Sequence, residues 1–158
     1  MRILAIDPGY DRMGIAVLEG DPSKPILVWS DCVTPAKGTK EERLAEVLSA
    51  IESAIQTYAP DACALETLFF SKNTKTALGV AEARGVILGV AGKAGLRVIE
   101  CSPQEVKLAV TGYGAADKAS VIHMVPKLLS LPPKQRLDDE LDAIAVGICG
   151  LSKRNHIS

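Results

Sequence analysis

Three short apolar runs, Arg2 to Ile6, Met13 to Leu18 and Ile26 to Val33, follow one another at the N-terminus with only turn-forming residues between them. Asp7-Pro8-Gly9 leads from the first towards the second, and Glu19-Gly20-Asp21-Pro22-Ser23 stands between the second and third. Connections this short cannot cross over a sheet, so the runs predict an antiparallel three-strand meander. The next segment restricts the chain further. From Thr39 to Tyr58, the residues Leu44, Val47, Leu48, Ile51 and Ile55 recur with the period of an amphipathic helix, which Pro60 stops. A helix of that length is a crossover, so the run Asp61 to Glu66 is expected to pair parallel with a strand already in the sheet.

A long helix is expected from about Thr74 to Lys93, then a strand from Leu96 to Glu100. Ser102 and Pro103 suit the cap and first turn of a following helix, which Gly112-Tyr113-Gly114 breaks. Another helix is predicted from about Asp117 to Leu129, with Pro126 as a possible kink, and a last one from near Leu137 with Leu141, Ile144, Ala145 and Ile148 on one face. The fold class is therefore α/β: a five-stranded mixed sheet, three antiparallel strands then two parallel ones, with helices on both faces.

With 158 residues, 47% hydrophobic and 23% charged, residues 1–158 are expected to form a single domain. Asp7 interrupts the N-terminal apolar stretch before it reaches signal-peptide length, and Thr76 to Gly95 carries Glu82 and Arg84 in mid-span. No membrane association is expected, and the cytoplasm is the expected location. Cys32, Cys63, Cys101 and Cys149 lack CxxC spacing and read as reduced, mostly buried thiols; His123 and His156 have no second ligand at metal-binding spacing. The net charge of -1 conceals an uneven distribution: Thr67 to Arg136 carries +6 and the remainder -7. Such a chain can present a positive surface around a negative centre.

The negative centre follows from the strand order. Asp7 ends the first strand and Glu66 the fourth; if those strands are parallel neighbours, both carboxylates emerge at one sheet edge. Taken alone, Asp7-Pro8-Gly9 is also a plain turn signal. In the last helix, "LDDELDAIAVG", Asp139 and Asp142 share a face, but Asp138 is also one turn from Asp142, so spacing leaves the two open. Capping and the helix dipole account for Asp138 and Asp139, not for Asp142 beside an apolar stripe. Converging carboxylates repel unless protonated or bridged by cations. Oxygen ligands without His or Cys favour Mg²⁺ or Mn²⁺, and magnesium commonly completes its shell with substrate phosphate.

The segments "AIDPGYDRMGIAV", "ALETLFFSKNTKTALGVAEARG", "PQEVKLAVTGYGAADKASVIHMV" and "LDDELDAIAVGI" resemble the RuvC family of Holliday junction resolvases, within the ribonuclease H-like superfamily. The likeness spans nearly the whole chain. It implies Asp7, Glu66, Asp139 and Asp142 as the catalytic metal-binding tetrad, because the family pattern matches Asp139 rather than Asp138. It further implies DNA contacts from Phe69, Lys72, Lys107 and Lys118, with Phe69 stacking on distorted DNA. Two Mg²⁺ ions per site, replaceable by Mn²⁺, are the implied cofactors.

The implied activity is paired symmetric nicking of four-way junction DNA by a homodimer, leaving 5′-phosphate ends, with the RuvA and RuvB branch-migration proteins as partners. The small residues Ala81, Gly85 and Gly89 on the long helix permit close approach of another helix, in this chain or in a second copy. Two other readings compete: an actin-like phosphotransferase using the Asp7-Pro8-Gly9 turn, and a junction-binding module without catalysis.

Overall fold

The computed structural model describes residues 1–68, 74–132 and 134–153. Its strands are β1 (Arg2–Asp7), β2 (Met13–Asp21), β3 (Lys24–Val33), β4 (Ala62–Glu66) and β5 (Arg97–Cys101), and its helices α1 (Lys40–Tyr58), α2 (Thr74–Lys93), α3 (Pro103–Thr111), α4 (Lys118–Leu128) and α5 (Asp138–Lys153). The sheet order is β3-β2-β1-β4-β5. β1, β2 and β3 form the expected antiparallel meander, while β4 pairs parallel with both β1 and β5.

Period-two alternation divides the core into two layers. Ile3 and Ala5 of β1 face the side packed by α3, α4 and α5; Leu4 and Ile6 face the side covered by α1 and α2. Local sequence sets the helix starts. Thr39 and Ser102 each form a reciprocal capping box, with Glu42 and Glu105 respectively, and Pro103 opens α3 without losing a needed N–H. Asp117 caps α4 by accepting from the Ser120 N–H at 2.8 Å. Pro126 lies in the last turn of α4, which runs on to Leu128.

The β2–β3 hairpin is longer than the apolar runs suggest. It closes at Asp21 and Lys24, leaving only Pro22 and Ser23 between strands, and its register shifts between Val17 and Leu18. Ser23 donates to Asp21 Oδ1 from both its N–H, at 3.0 Å, and its hydroxyl, at 2.8 Å, so local polar groups close the turn that hydrophobic periodicity could not reveal. β5 is displaced by one residue from its expected span: Leu96 donates its N–H to the Ala91 carbonyl, at 2.9 Å, in the turn after α2, while Cys101 pairs with Glu66. Among the described residues, no helix is long and apolar enough to cross a membrane.

The placement of α5 depends on glycines. A Cβ on Gly147 would collide with the Leu18 side chain, and one on Gly150 would stand 2.7 Å from Ala64 Cβ. A Cβ on Gly14 would run into the backbone carbonyl of Asp139, in the first turn of α5. Gly14→Ala must therefore displace that turn from β2, and overpacking of this kind costs about 1–3 kcal/mol. The expected outcome is a lowered urea midpoint for Gly14→Ala, whereas Gly92→Ala, whose methyl meets open space in α2, is neutral or slightly stabilising.

Candidate active site

The parallel pairing of β1 and β4, with Ile6 opposite Leu65, places Asp7 and Glu66 side by side where the two strands end. Gly14 lies opposite Asp7 in the β1–β2 ladder and also abuts Asp139. One glycine thus connects the edge carrying Asp7 to the helix carrying Asp139 and Asp142. In α5 the chain enters through Leu137, whose carbonyl accepts from the Glu140 and Leu141 N–H groups at 3.1 and 3.2 Å. Asp138 and Asp139 stand inside the first turn rather than at the cap. Glu140 points elsewhere: it is buried, accepts from Ser30 Oγ at 2.7 Å and lies 3.3 Å from Arg136 Nε, which secures the start of α5 to β3.

Electrostatics shows how closely the carboxylates are gathered. Burial, together with the charges of Glu66, Asp142 and Asp139, pushes the Asp7 carboxyl up to about 8. Interaction between the two carboxyls raises Asp7 further and lowers Glu66. Burial also raises Glu66, against the hydrogen bond from Asp7, and Lys118 and Lys107 pull it back down. Asp142 is raised by burial despite a hydrogen bond from Lys118 Nζ at 2.7 Å, which in turn holds that ammonium above its ordinary value. Glu66, Asp142, Lys107 and Lys118 line one cleft, floored by Val106, Val121 and Val146. Lys107 reaches it from α3, and Lys118 is the first residue of α4.

The donor set suits a hard divalent cation. It consists of carboxylate oxygens, and one of them, Asp139 Oδ2, is buried and accepts no hydrogen bond among the described residues. Arg12 Nη2 lies 3.0 Å from that oxygen as an ion pair, off the line a hydrogen bond requires. With Asp142 turned to Lys118 and Asp139 to Arg12, no three acidic, His or Cys side chains among the described residues already surround one point as metal ligands. A cation here would compete with Lys118 for Asp142 and with Arg12 for Asp139.

The structure brings together Asp7, Glu66, Asp142, Lys107 and Lys118, with Asp139 adjoining through its charge on Asp7. Phe69 and Lys72 lie outside the described residues. Arg12 and Gly14 escaped sequence reasoning. A glycine inside an apolar strand signals close backbone approach and could have marked Gly14; Arg12 sits in a turn whose direction the sequence does not reveal. The four cysteines are free thiols, three of them buried.

The family model for crossover junction endodeoxyribonuclease RuvC matches residues 3–150. The protein of that name from Moorella thermoacetica is 45% identical over 153 residues, covering 96% of this chain and 92% of its own. The one from Syntrophomonas wolfei is 41% identical over 152 residues, covering 96% and 88%. Among solved structures, Thermus thermophilus RuvC in complex with a Holliday junction substrate superposes with a TM-score of 0.91 at 28% identity, over 99% of this chain and 96% of that one. Because the match extends from β1 into α5 and takes in every element that borders the cleft, the chain belongs to the crossover junction endodeoxyribonuclease RuvC family.

Proposed function

We propose that this chain is a metal-dependent endodeoxyribonuclease that resolves four-way DNA junctions by paired nicks, with Asp7, Glu66, Asp139 and Asp142 as its catalytic metal-holding carboxylates. The observation that carries the reading is the mutual electrostatic influence of these four groups, drawn from β1, β4 and α5 to one sheet edge beside Lys107 and Lys118. Similarity to a structure solved with a Holliday junction substrate supports the substrate class. The proposed cofactors are two Mg²⁺ ions, for which Mn²⁺ can substitute; when bound they lower the pKa of attacking water and neutralise charge on the leaving oxygen.

The chain's own groups have distinct tasks. Asp7 and Glu66 are presented on strand ends with little freedom to reorient, and Asp7 must release its proton before both can hold cations. Lys118, once displaced from Asp142, is placed to pair with the scissile phosphate, and Lys107 adds positive charge across the cleft. Phe69 and Lys72 are proposed to meet DNA at the crossover.

A homodimer matches the near two-fold symmetry of the substrate. Gly85 and Gly89 leave an open face on α2, where an added Cβ meets nothing among the described residues, and Leu78 and Leu88 are exposed on the same helix. A second copy is the proposed occupant. RuvA and RuvB are proposed partners, and the cytoplasm the proposed location. The direct test is a synthetic mobile junction incubated with Mg²⁺ or with EDTA and scored for paired nicks. Binding without cleavage in Mg²⁺ would reject the nuclease reading, and nucleotide turnover without DNA would favour a phosphotransferase.

Asp7→Asn and Glu66→Gln are expected to lower junction cleavage at least about a thousandfold, on the scale of several kcal/mol that such metal chemistry supplies, while junction affinity changes only a few-fold. A gel-shift titration beside the cleavage assay reads both. In EDTA, the folded chain retains a proton on Asp7 between about pH 4 and 8 that the unfolded chain has released, so stability falls as pH rises through that window. Asp7→Asn should flatten this fall and melt about 3–8 °C above wild type at pH 8.5, corresponding to roughly 1–3 kcal/mol. Gly85→Leu/Gly89→Leu is expected to halve the mass in sedimentation and turn paired nicks into single ones.

A further inference from the structure

We propose that the groove between α4 and the segment leading into α5 is a second phosphate track, which takes the sugar-phosphate backbone of a DNA arm leaving the cut site. The inference rests on the nuclease reading above and assigns a surface that reading does not use. One wall is the α4 face bearing Ile122, His123 and Lys127; the other carries Leu131, Lys134 and Arg136. No carboxylate lines the groove among the described residues. The nearby acid, Glu140, is buried beneath it and already engaged by Ser30 and Arg136.

The basic groups differ in exposure. Arg136 is fixed: its side chain is 9% exposed, its Nε is buried without a hydrogen-bond acceptor, and it lies 3.3 Å from Glu140. Lys134 is 60% exposed and only loosely held, 3.8 Å from the same carboxylate. Lys127 Nζ lies 2.7 Å from His123 Nε2, so its neighbour there is a ring nitrogen rather than an acid. An ammonium has three N–H donors and the ring nitrogen can take at most one, which leaves two for an anion. A largely buried guanidinium beneath exposed lysines, with apolar residues between, fits a chain of phosphates with sugars against its sides.

Proximity to the cut site along α4 favours DNA over an acidic peptide. α4 begins at Lys118, hydrogen-bonded to Asp142 in the cleft, and at 1.5 Å per residue His123 and Lys127 follow about 7 and 13 Å further along the axis. Nine residues at about 100° each put Lys127 on the opposite side of α4 from Lys118, so a strand whose phosphate sits at Lys118 passes about half a turn around the helix, as well as along it, to meet these groups.

The test compares the full-length chain with Lys127→Glu/Lys134→Glu for binding to a synthetic four-way junction in EDTA, from 50 to 300 mM KCl. Lys24→Glu/Lys93→Glu serves as a control, because it changes net charge equally at the far end of the β2–β3 hairpin and of α2. The groove variant is expected to bind about tenfold more weakly near 100 mM salt, with its log–log salt slope reduced by about 2, while the control stays within about threefold of wild type. The milder Lys127→Gln/Lys134→Gln should give a smaller loss in the same direction with an unchanged Tm, separating phosphate contact from misfolding. Affinity and slope equal to the control, or weaker binding with an unaltered slope, overturn the track. A wild-type chain that binds no junction instead refutes the nuclease reading, and the track falls with it.

Discussion

The close approach of α5 to the β1–β2 pair governs the rest of the molecule. α5 is buried along most of its length, and it reaches the sheet only because Gly147 and Gly150 leave room for Leu18, Ala5, Ala64 and Ile3. The same approach at Gly14 brings the first turn of the helix to the end of β1. Hydrophobic burial on the inner face thereby determines where Asp139 and Asp142 stand relative to Asp7 and Glu66. Fold energy and site geometry thus share one interface.

Gathering the carboxylates works against stability. Burial raises Asp7, Glu66 and Asp142 alike, and the fold limits the cost by sharing a proton between Asp7 and Glu66 and by pairing Asp142 with Lys118 and Asp139 with Arg12. These neutralising contacts are also what a divalent cation and a phosphate would replace. Glu140 contrasts with its neighbours: also a carboxylate but deeper, it accepts from Ser30 and pairs with Arg136, and so serves the attachment of α5 to β3.

Much of this was legible in the sequence because hydrophobic period and chain order are local signals. The meander, the α1 crossover and a parallel β4 follow from run lengths and order, whereas the meeting of Asp7 and Glu66 depends on β4 lying next to β1, which the sheet pairing supplies. Spacing could not separate Asp138 from Asp139; both lie in the first turn of α5, Asp139 acts on Asp7, and both act on Asp142. Other features depend on tertiary contact and were hidden. Pairing of β2 and β3 beyond Leu18 is held by the polar turn at Asp21 and Ser23, and the direction of Arg12 depends on where α5 lies. The His123–Lys127 contact is helical in spacing, yet its meaning emerges only from the acid-free groove it borders.

The central claim is that the ends of β1 and β4 and the start of α5 hold the catalytic cations together. Replacing Mg²⁺ with Fe²⁺ and adding ascorbate and peroxide generates radicals that cut the polypeptide beside the bound ion. The account predicts fragments ending near Asp7, near Glu66 and near Asp139 to Asp142, all suppressed by excess Mg²⁺. Cuts confined to other parts of the chain, or cuts that Mg²⁺ does not compete away, would contradict it.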